Sequence, residues 1–227
     1  MVQGYKVSVV IPCYNEEEGI RRVLEGMPES IDERIVVDNN STNATGDVAR
    51  SLGAKVIFEA RQGYGFAYKA GLPAATGDII ATMDGDGSYP ADWIPKLAER
   101  LIGQELDFIS GCRFPLADPR SMPWSNKMGN LLLTAAMAVL YGRRIRDSQS
   151  GMWVFRRSLL RSLILTSDGM PLSEEIKIEA IQRGFRFREI HIPYRTRIGE
   201  AKLRKCRDGW ENLRFLGRKR FQSRTEI

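Results

Sequence analysis

Two aspartates separated by one residue follow an apolar run in the stretch ATMDGDGSYP, residues 81–90. Carboxylates this close repel each other unless a positive charge neutralises them. Asp84 and Asp86 can together reach one hard cation, because Mg²⁺ is commonly shared between one or two carboxylates and the phosphates of a substrate. A glycine-rich turn whose carboxylates cap nearby amides would have the same sequence, so the spacing alone leaves both interpretations open.

The stretch RQGYGFAYKAG, residues 61–71, combines a cation with glycines ahead of a predicted helix. Gly63 and Gly65 allow close approach of the backbone to a ligand, and the free amides at the start of a helix favour anions. Arg61 supplies a forked donor suited to a phosphate. The stretch is not the dinucleotide-binding fingerprint, because Tyr68 stands where the third glycine of that motif belongs.

Asp38 ends another apolar run, in VVDNNST. A carboxylate at the end of a strand can accept a hydrogen bond from a ribose hydroxyl or from a base N–H. The residues at 39–42 are also typical of a helix N-cap, and the two interpretations are compatible.

The order of the predicted elements supplies a scaffold that brings these residues together. Short β-rich runs alternate with helical patterns, which predicts an α/β fold with a mostly parallel, doubly wound, Rossmann-like sheet and helices on both faces. The predicted strands cover 6–12, 34–38, 54–58, 77–84, 106–111, 151–157 and 187–197. The predicted helices cover 15–27, 45–53, 65–75, 90–102, 126–142, 173–184 and 201–221, the last interrupted at Gly209. Ligands bind outside the carboxyl ends of such strands, where residues 12–16, 38–41, 61–65 and 84–86 converge.

The composition is that of a globular protein with unevenly distributed charge. Hydrophobic residues make up 43% of the 227 residues, which allows a sizeable core. Residues 183–224 contain 14 Lys and Arg against 4 Asp and Glu, whereas the first 182 residues contain 20 against 23. We therefore expect one domain over 1–200 and a basic C-terminal helical extension over 201–227, suited to phosphate-rich partners such as anionic lipid head groups.

Several features bear on where the protein works. The three cysteines are far apart and odd in number, which favours a reducing cytoplasm over a disulfide framework or a zinc site. The first residues, MVQGYKVSVVIP, lack the pattern of a signal peptide. The longest apolar segment, residues 131–141, is about half of the ~20 residues that a spanning helix needs. It predicts either a core helix or a helix lying on a membrane surface. We expect a cytoplasmic protein, free or peripheral at the cytoplasmic membrane face.

Seven motifs occur in order between about residues 6 and 205: VVIPCYNEE, VVDNNSTNAT, RQGYGFAYKAG, MDGDGSYP, SGCR, DSQSGMWVF and YRTRIGEAKL. Together they resemble the family-2 glycosyltransferases of the GT-A fold, in the dolichol-phosphate mannose synthase-like, or polyprenyl-phosphate glycosyltransferase, branch. The resemblance implies an inverting enzyme that uses Mg²⁺ or Mn²⁺. It would move a sugar from a nucleotide-sugar donor, GDP-mannose or a UDP-hexose, to a polyprenyl phosphate. Many members of that branch carry C-terminal membrane helices, whereas a basic helix is predicted here.

The resemblance also implies roles for residues on the donor side. Two groups would bind the donor: the nucleoside would be held by Pro12, Tyr14, Glu16 and Asp38, and the rest of the donor site would be lined by Arg61 and Gly63. Asp84 and Asp86 would meet the diphosphate and the metal, with Asp86 the more direct ligand.

Further residues would act around the reacting sugar, again by resemblance. Arg113 would face the acceptor phosphate or the donor sugar. Asp147 and Gln149 would lie beside the reacting sugar carbon. Arg197 and Lys202 would close over the phosphates.

The chemistry leaves the acceptor open. A lipid phosphate is already an anion and needs no strong base, so Asp147 would orient or stabilise. A saccharide hydroxyl, as in cell-envelope polysaccharide synthesis, needs a base, for which Asp147, Glu174 and Glu175 are candidates. Glu174 and Glu175 also fit the first turn of a helix, where acidic side chains are favourable. A third hypothesis is a non-enzymatic nucleotide or nucleic-acid binding module built around the basic tail, although we expect no nucleic-acid partner.

Overall fold

The computed structural model describes residues 1–199 and 205–222, and its strands form one mixed sheet. Across the sheet the strands lie in the order β3-β2-β1-β4-β6-β5-β7. They are β1 (Val7–Cys13), β2 (Glu33–Asp38), β3 (Lys55–Phe58), β4 (Ile79–Thr82), β5 (Phe108–Cys112), β6 (Trp153–Arg156) and β7 (Phe187–His191). Each pair of neighbours is parallel except those involving β6, which is antiparallel to both β4 and β5. The predicted mostly parallel sheet is therefore confirmed.

Helices cover both faces of the sheet. They are α1 (Glu17–Glu25), α2 (Thr45–Ser51), α3 (Tyr64–Gly71), α4 (Ile94–Gly103), α5 (Trp124–Tyr141), α6 (Leu172–Gln182) and α7 (Lys205–Gln222). Successive side chains of a strand point to opposite faces, so Val9 and Val10 of β1 belong to two different cores. The core on one face includes residues of α1, α2 and α4, and the core on the other includes residues of α3 and α6. This arrangement confirms the prediction of a doubly wound fold.

A third, smaller core joins α5, α6 and α7. Leu216 of α7 is fully buried with Met137 of α5 and Ile178 of α6, and the Tyr141 hydroxyl donates to the Leu216 carbonyl at 3.0 Å. Helix α7 runs through Gly209 without a break, contrary to the predicted interruption. A single glycine costs a helix only about 1 kcal/mol, which this packing offsets. The division at residue 200 stays a prediction.

The predicted strand over 187–197 is too long. Strand β7 ends at His191, and Pro193 lacks the N–H that a continuing ladder would need. The chain instead crosses the carboxyl edge of the sheet, where the Arg195 amide donates to the Ser88 carbonyl and the Ile198 amide donates to the Asp86 carbonyl, at 2.9 and 2.8 Å. The segment that follows β7 is therefore held against the aspartate loop. Lys202 lies outside the described residues.

Strand β6 has the opposite direction to the other six. Its N-terminal end, not its C-terminal end, lies at the edge where the neighbouring strands finish, because Ala81 of β4 pairs with Val154. The Thr82 hydroxyl donates to the Gly151 carbonyl at 2.8 Å. The residues that precede β6 are thus brought beside the aspartates that follow β4. None of the helices within the described ranges is long and apolar enough to cross a membrane.

Candidate active site

A cavity of about 300 Å³ opens at the carboxyl edge of the sheet. Its walls come from the loops after β1, β2, β3 and β4, from α3, and from the segments around 170, 197 and 208. Seven residues that the sequence predicted to bind donor or metal line this cavity: Pro12, Tyr14, Glu16, Gly63, Asp84, Asp86 and Arg197. The structure therefore brings together residues spread over nearly two hundred positions of the chain.

Asp84 and Asp86 lie side by side in the cavity wall. Burial, and next the negative charge of Asp86, raise the pKa of Asp84 to about 7. Asp86 is 5% exposed, and its Oδ1 accepts hydrogen bonds from the amide and the hydroxyl of Ser88, at 2.9 and 2.6 Å. The Tyr64 hydroxyl lies 3.4 Å from Asp84 Oδ1. The site thus holds two carboxylates under conditions that disfavour two negative charges.

Arg197 bridges two acidic residues at the mouth of the donor region. Its guanidinium donates to Glu16 Oε1 at 3.0 Å and lies 3.5 Å from Asp86 Oδ2. Its Nε atom is buried and has no hydrogen-bond partner among the residues that the structure describes. A guanidinium held with a free donor next to this cavity is suited to an anionic ligand.

The loop after β2 organises the loop after β3. Asn39 donates from Nδ2 to the carbonyls of Glu59 and Arg61, and its Oδ1 accepts from the Gly63 amide at 2.8 Å. Sequence reasoning treated Asn39 only as part of a helix N-cap, and it missed this role because all three hydrogen-bond partners lie more than 19 residues away.

Asp38 does not line the cavity. Its Oδ1 accepts a hydrogen bond from the Ser41 amide at 3.0 Å.

Arg61 is turned away from the cavity. Its guanidinium forms an ion pair with Glu59, with Nε 2.9 Å from Oε1, and it stacks over the Phe66 ring. The Arg61 side chain is 67% exposed. Gly63, two residues later, does line the cavity. Of the two residues predicted here, only the glycine lines the cavity.

Arg113 and Asp147 form a buried ion pair next to the aspartates, without lining the cavity. The Arg113 guanidinium donates from Nε and NH2 to both carboxylate oxygens at 2.8 Å, and its amide donates to Oδ2 at 2.9 Å. Asn130 donates to Oδ1 at 2.7 Å. Burial opposes ionisation of Asp147, but the Arg113 charge and these hydrogen bonds lower its pKa to about 2. Asp147 is therefore a permanently charged partner for Arg113.

A buried lysine that the sequence did not single out holds the loop around Asp147. Lys177 of α6 is fully buried and donates from Nζ to the carbonyls of Asp147 and Ser148, at 3.0 and 2.7 Å. Burial lowers the pKa of Lys177 to about 8. The sequence did contain a signal for Lys177: it lies one turn after Glu174 on α6, so the two side chains lie on the same side of the helix.

The two glutamates considered as bases lie in different surroundings. Glu174 accepts a hydrogen bond from Gln149 at 2.6 Å, and burial raises its pKa to about 8. Its other oxygen, Oε2, is buried and has no partner within the described residues. Glu175 is fully buried and accepts hydrogen bonds from Thr166, Ser167 and Lys219. Glu175 is thus committed to structural contacts, whereas Glu174 supports Gln149.

The fold and the carboxylate cavity together define a GT-A type glycosyltransferase architecture. The family model for glycosyl transferase family 2 matches residues 8–164. The chain belongs to this family.

Named relatives and a solved structure extend the comparison. The chain is 36% identical to the dolichyl-phosphate hexose transferase of Haloferax volcanii, over 87% of this chain and 86% of the relative. It is 35% identical to the low-salt glycan biosynthesis hexosyltransferase Agl6 of the same organism, but spans only 52% of that protein's length. The glucosyl-3-phosphoglycerate synthase of Mycobacterium tuberculosis, crystallised with Mn²⁺, uridine diphosphate and glucosyl-3-phosphoglycerate, has the same fold: its TM-score is 0.76 at 24% identity, over 96% of this chain and 80% of that one.

Proposed function

We propose that this glycosyltransferase moves a hexose from a nucleotide sugar to a polyprenyl phosphate, with inversion at the sugar carbon and with Mg²⁺ or Mn²⁺. The observation that carries the proposal is the pair Asp84 and Asp86 in the wall of the cavity at the carboxyl edge of the sheet. The similarity to a dolichyl-phosphate hexose transferase over most of both chains supports a lipid phosphate as the acceptor class.

The two carboxylates are suitable ligands for a divalent cation that is shared with a diphosphate. Mg²⁺ usually takes one or two carboxylates, substrate phosphates and water, which matches two carboxylates in a cavity large enough for a ligand. No larger cluster of His, Cys, Asp or Glu within residues 1–199 and 205–222 is arranged to hold a metal. When bound by Asp84 and Asp86, the cation would neutralise charge on the departing diphosphate.

The residues of the donor side have separate tasks in this proposal. Contacts with the nucleoside would come from Pro12, Tyr14 and Glu16, which line the cavity, and Asp38 would join them only by turning its carboxylate away from the Ser41 amide. Arg197 would turn its free Nε toward the diphosphate, and Lys202 would join it there. Arg61 would reach a phosphate only by leaving Glu59, which costs little because exposed ion pairs contribute little to stability.

On the acceptor side, Arg113 would bind the lipid phosphate or the sugar, and Asp147 would hold its guanidinium in place. The acceptor phosphate is already an anion, so the reaction needs no strong base. Gln149, supported by Glu174, would lie beside the reacting sugar carbon. These roles use the buried network of the structure without requiring Asp147 to exchange a proton, which its low pKa would oppose.

We also propose that the protein binds the cytoplasmic face of an anionic membrane through α5 and α7. Both helices expose large apolar side chains: Leu131, Leu132 and Val139 on α5, and Trp210, Leu213 and Phe221 on α7. Their spacing on α7 places the three apolar residues along one side of the helix, next to Arg214. Apolar residues beside a basic side chain suit the boundary between acyl chains and anionic head groups.

The transfer reaction can be tested directly with purified protein. GDP-mannose, UDP-glucose and UDP-N-acetylglucosamine are each incubated with a short-chain polyprenyl phosphate and Mn²⁺ or Mg²⁺. We expect one donor to give a glycosylated lipid phosphate, and we expect no product with the dephosphorylated alcohol or with chelator. Transfer only to a saccharide hydroxyl would contradict the proposed acceptor.

The metal role is tested by Asp84→Ala and Asp86→Ala. Each should reduce transfer at least about 100-fold, because a cation that stabilises the transition state contributes several kcal/mol. Asp47→Ala is the matched control, since Asp47 is an exposed aspartate on α2. Full activity of both cavity variants would refute the metal site.

A further inference from the structure

A buried ion cluster joins α7 to α6 outside the cavity. Lys219 of α7 lies between two carboxylates of α6, with Nζ 3.0 Å from Glu175 Oε1 and 2.8 Å from Glu179 Oε1. The two glutamates are four residues apart on one side of the helix and are both buried, so they would repel each other without a cation. The Lys219 side chain is itself only 12% exposed. Arg183 also pairs with Glu179, with its Nε 2.9 Å from Oε2, whereas Lys219 contacts both carboxylates and so links Glu175 to Glu179.

The same two carboxylates hold the segment that leads into α6. Glu179 Oε2 accepts from the Ile164 amide at 3.0 Å. Glu175 accepts from the Thr166 hydroxyl at 2.7 Å and from the Ser167 amide at 2.8 Å. Backbone amides bonded to a buried carboxylate lose these partners if the carboxylate turns away. The position of residues 164–167 thus depends on the ion cluster.

This segment packs directly on the start of α3, which is part of the cavity. The Phe66 amide donates to the Asp168 carbonyl at 3.1 Å. A Cβ atom on Gly65 would lie 2.2 Å from the Ser167 carbonyl oxygen, so the two backbones are in close contact. Met170, at the end of the segment, lines the cavity together with Gly63. A shift at 164–167 would therefore move one wall of the cavity.

We propose that Lys219 is a positioning residue for the nucleotide-sugar cavity: through Glu175 and Glu179 it holds the 164–170 segment against α3. The inference rests on the proposed function for the identity of the ligand. Helix α7 then contributes to donor binding. The sequence does not indicate this, because α7 lies in a basic stretch near the C-terminal end of the described residues. Asp208 of the same helix also lines the cavity, which places α7 at the site by a second contact.

The test compares Lys219→Met with Arg218→Met. Both changes remove one positive charge from adjacent positions of α7, but Arg218 is exposed. Binding of GDP and of UDP, each with Mn²⁺, is measured by calorimetry without lipid, at a temperature where circular dichroism shows each variant folded. One of the two nucleotides is expected to bind the wild type. We expect Lys219→Met to lower the affinity for that nucleotide by about tenfold, a change of about 1.4 kcal/mol. Arg218→Met should leave the affinity unchanged.

Hydrogen exchange supplies a readout that needs no nucleotide. In Lys219→Met the amides of residues 164, 166 and 167 should exchange faster, while those of α1 keep their wild-type rates. Thr166→Val, which removes a single hydrogen bond to Glu175, is a milder second variant in case Lys219→Met fails to fold, and it should weaken nucleotide binding in the same direction.

The outcomes separate the two proposals. Unchanged affinity in Lys219→Met, or unchanged exchange at 164–167, would overturn the role of Lys219. If the wild-type protein binds neither nucleotide, the proposed function is overturned, and the exchange rates still decide whether Lys219 holds the segment.

Discussion

At the scale of single residues, the Arg113–Asp147 pair is the clearest case of chemistry fixed by surroundings. Both side chains are almost completely buried, and both oxygens of Asp147 accept hydrogen bonds. Breaking such a pair leaves a buried charge without its counterion, which is far more costly than losing a pair at the surface. The pair is therefore expected to matter for stability as well as for the position of Arg113.

Asp147→Asn should lower the free energy of unfolding by about 3 kcal/mol at neutral pH, because it leaves Arg113 charged and buried without a carboxylate. The measurement is urea unfolding followed by circular dichroism. Asp118→Asn is the control, because Asp118 makes a similar bidentate contact with Arg120 at the surface, where the Arg120 side chain is 90% exposed. A loss in Asp147→Asn no larger than in Asp118→Asn would contradict the assignment.

The pH dependence of the same comparison has a definite sign. The pKa of Asp147 in the folded protein is about 2, below its ordinary value of 3.8, so ionisation of this group stabilises the fold above about pH 4. That contribution disappears as the pH falls from about 4 to about 2. The difference between wild type and Asp147→Asn should therefore be constant near neutrality and shrink in acid, as far as both proteins remain folded.

At the scale of elements, the packing of the 164–170 segment on α3 explains two glycines that the sequence marked for a different reason. Gly63 and Gly65 were predicted to allow approach of a ligand. In the structure a Cβ atom on either would meet the backbone of residues 167–168 within 2.4 Å. Both glycines are thus required by chain-to-chain contact, and the backbone they admit forms a wall of the cavity.

Gly65→Ala should destabilise the protein by about 2 kcal/mol, because the added methyl group meets backbone atoms that cannot move independently. Gly129→Ala is the matched control: Gly129 lies inside α5 with no atom within 4 Å of the added methyl group. There the substitution should stabilise the helix by about 0.5–1 kcal/mol. Thermal unfolding of the two variants measures both effects, and equal melting temperatures would refute the packing described here.

Local patterns predicted the elements well and the contacts between distant elements poorly. Alternating β-rich and helical runs predicted all seven strands, and strand ends predicted the aspartate cavity, because both follow from periodicity and from the geometry of parallel sheets. The partners that Asn39, Lys177 and Lys219 bond to were not predictable. Each bonds to residues from 20 to 55 positions away, and no local pattern in the sequence specifies which buried group will meet which.

At the scale of the whole molecule, charge and apolar surface occur together in its C-terminal part. Residues 183–224 hold 14 of the 34 Lys and Arg. Helix α7 buries Leu216 toward α5 and α6 while Trp210 and Phe221 are 66% and 67% exposed. In the proposed membrane contact, an anionic bilayer would cover these aromatic residues and attract the basic ones.

The double variant Trp210→Ala/Phe221→Ala should bind anionic vesicles at least about tenfold more weakly than the wild type, since each buried aromatic ring contributes more than 1 kcal/mol. Co-sedimentation with phosphatidylcholine vesicles, with and without phosphatidylglycerol, measures the effect, and added salt should weaken binding to the anionic vesicles. Phe58→Ala is the control, because Phe58 is equally exposed on β3, outside both helices. Absence of wild-type binding to anionic vesicles would refute the membrane contact.

The reversed direction of β6 has a consequence for how this chain tolerates insertions and deletions. At β1, β2 and β4 the candidate site residues lie at the C-terminal end of the strand or just after it, so a change in length beyond them leaves the register of the strand unchanged. The 147–151 stretch precedes β6, and it lies close to Asp84 at Gly151, where an added Cβ atom would lie 3.2 Å from Asp84 Oδ1. Loss of one residue between Gly151 and Trp153 would either pull this stretch away from Asp84 or shift the register of β6, turning Trp153 and Phe155 out of their core. Reading-frame-preserving deletions just before β6 should therefore disturb either the cavity or a core, whichever way the chain accommodates them.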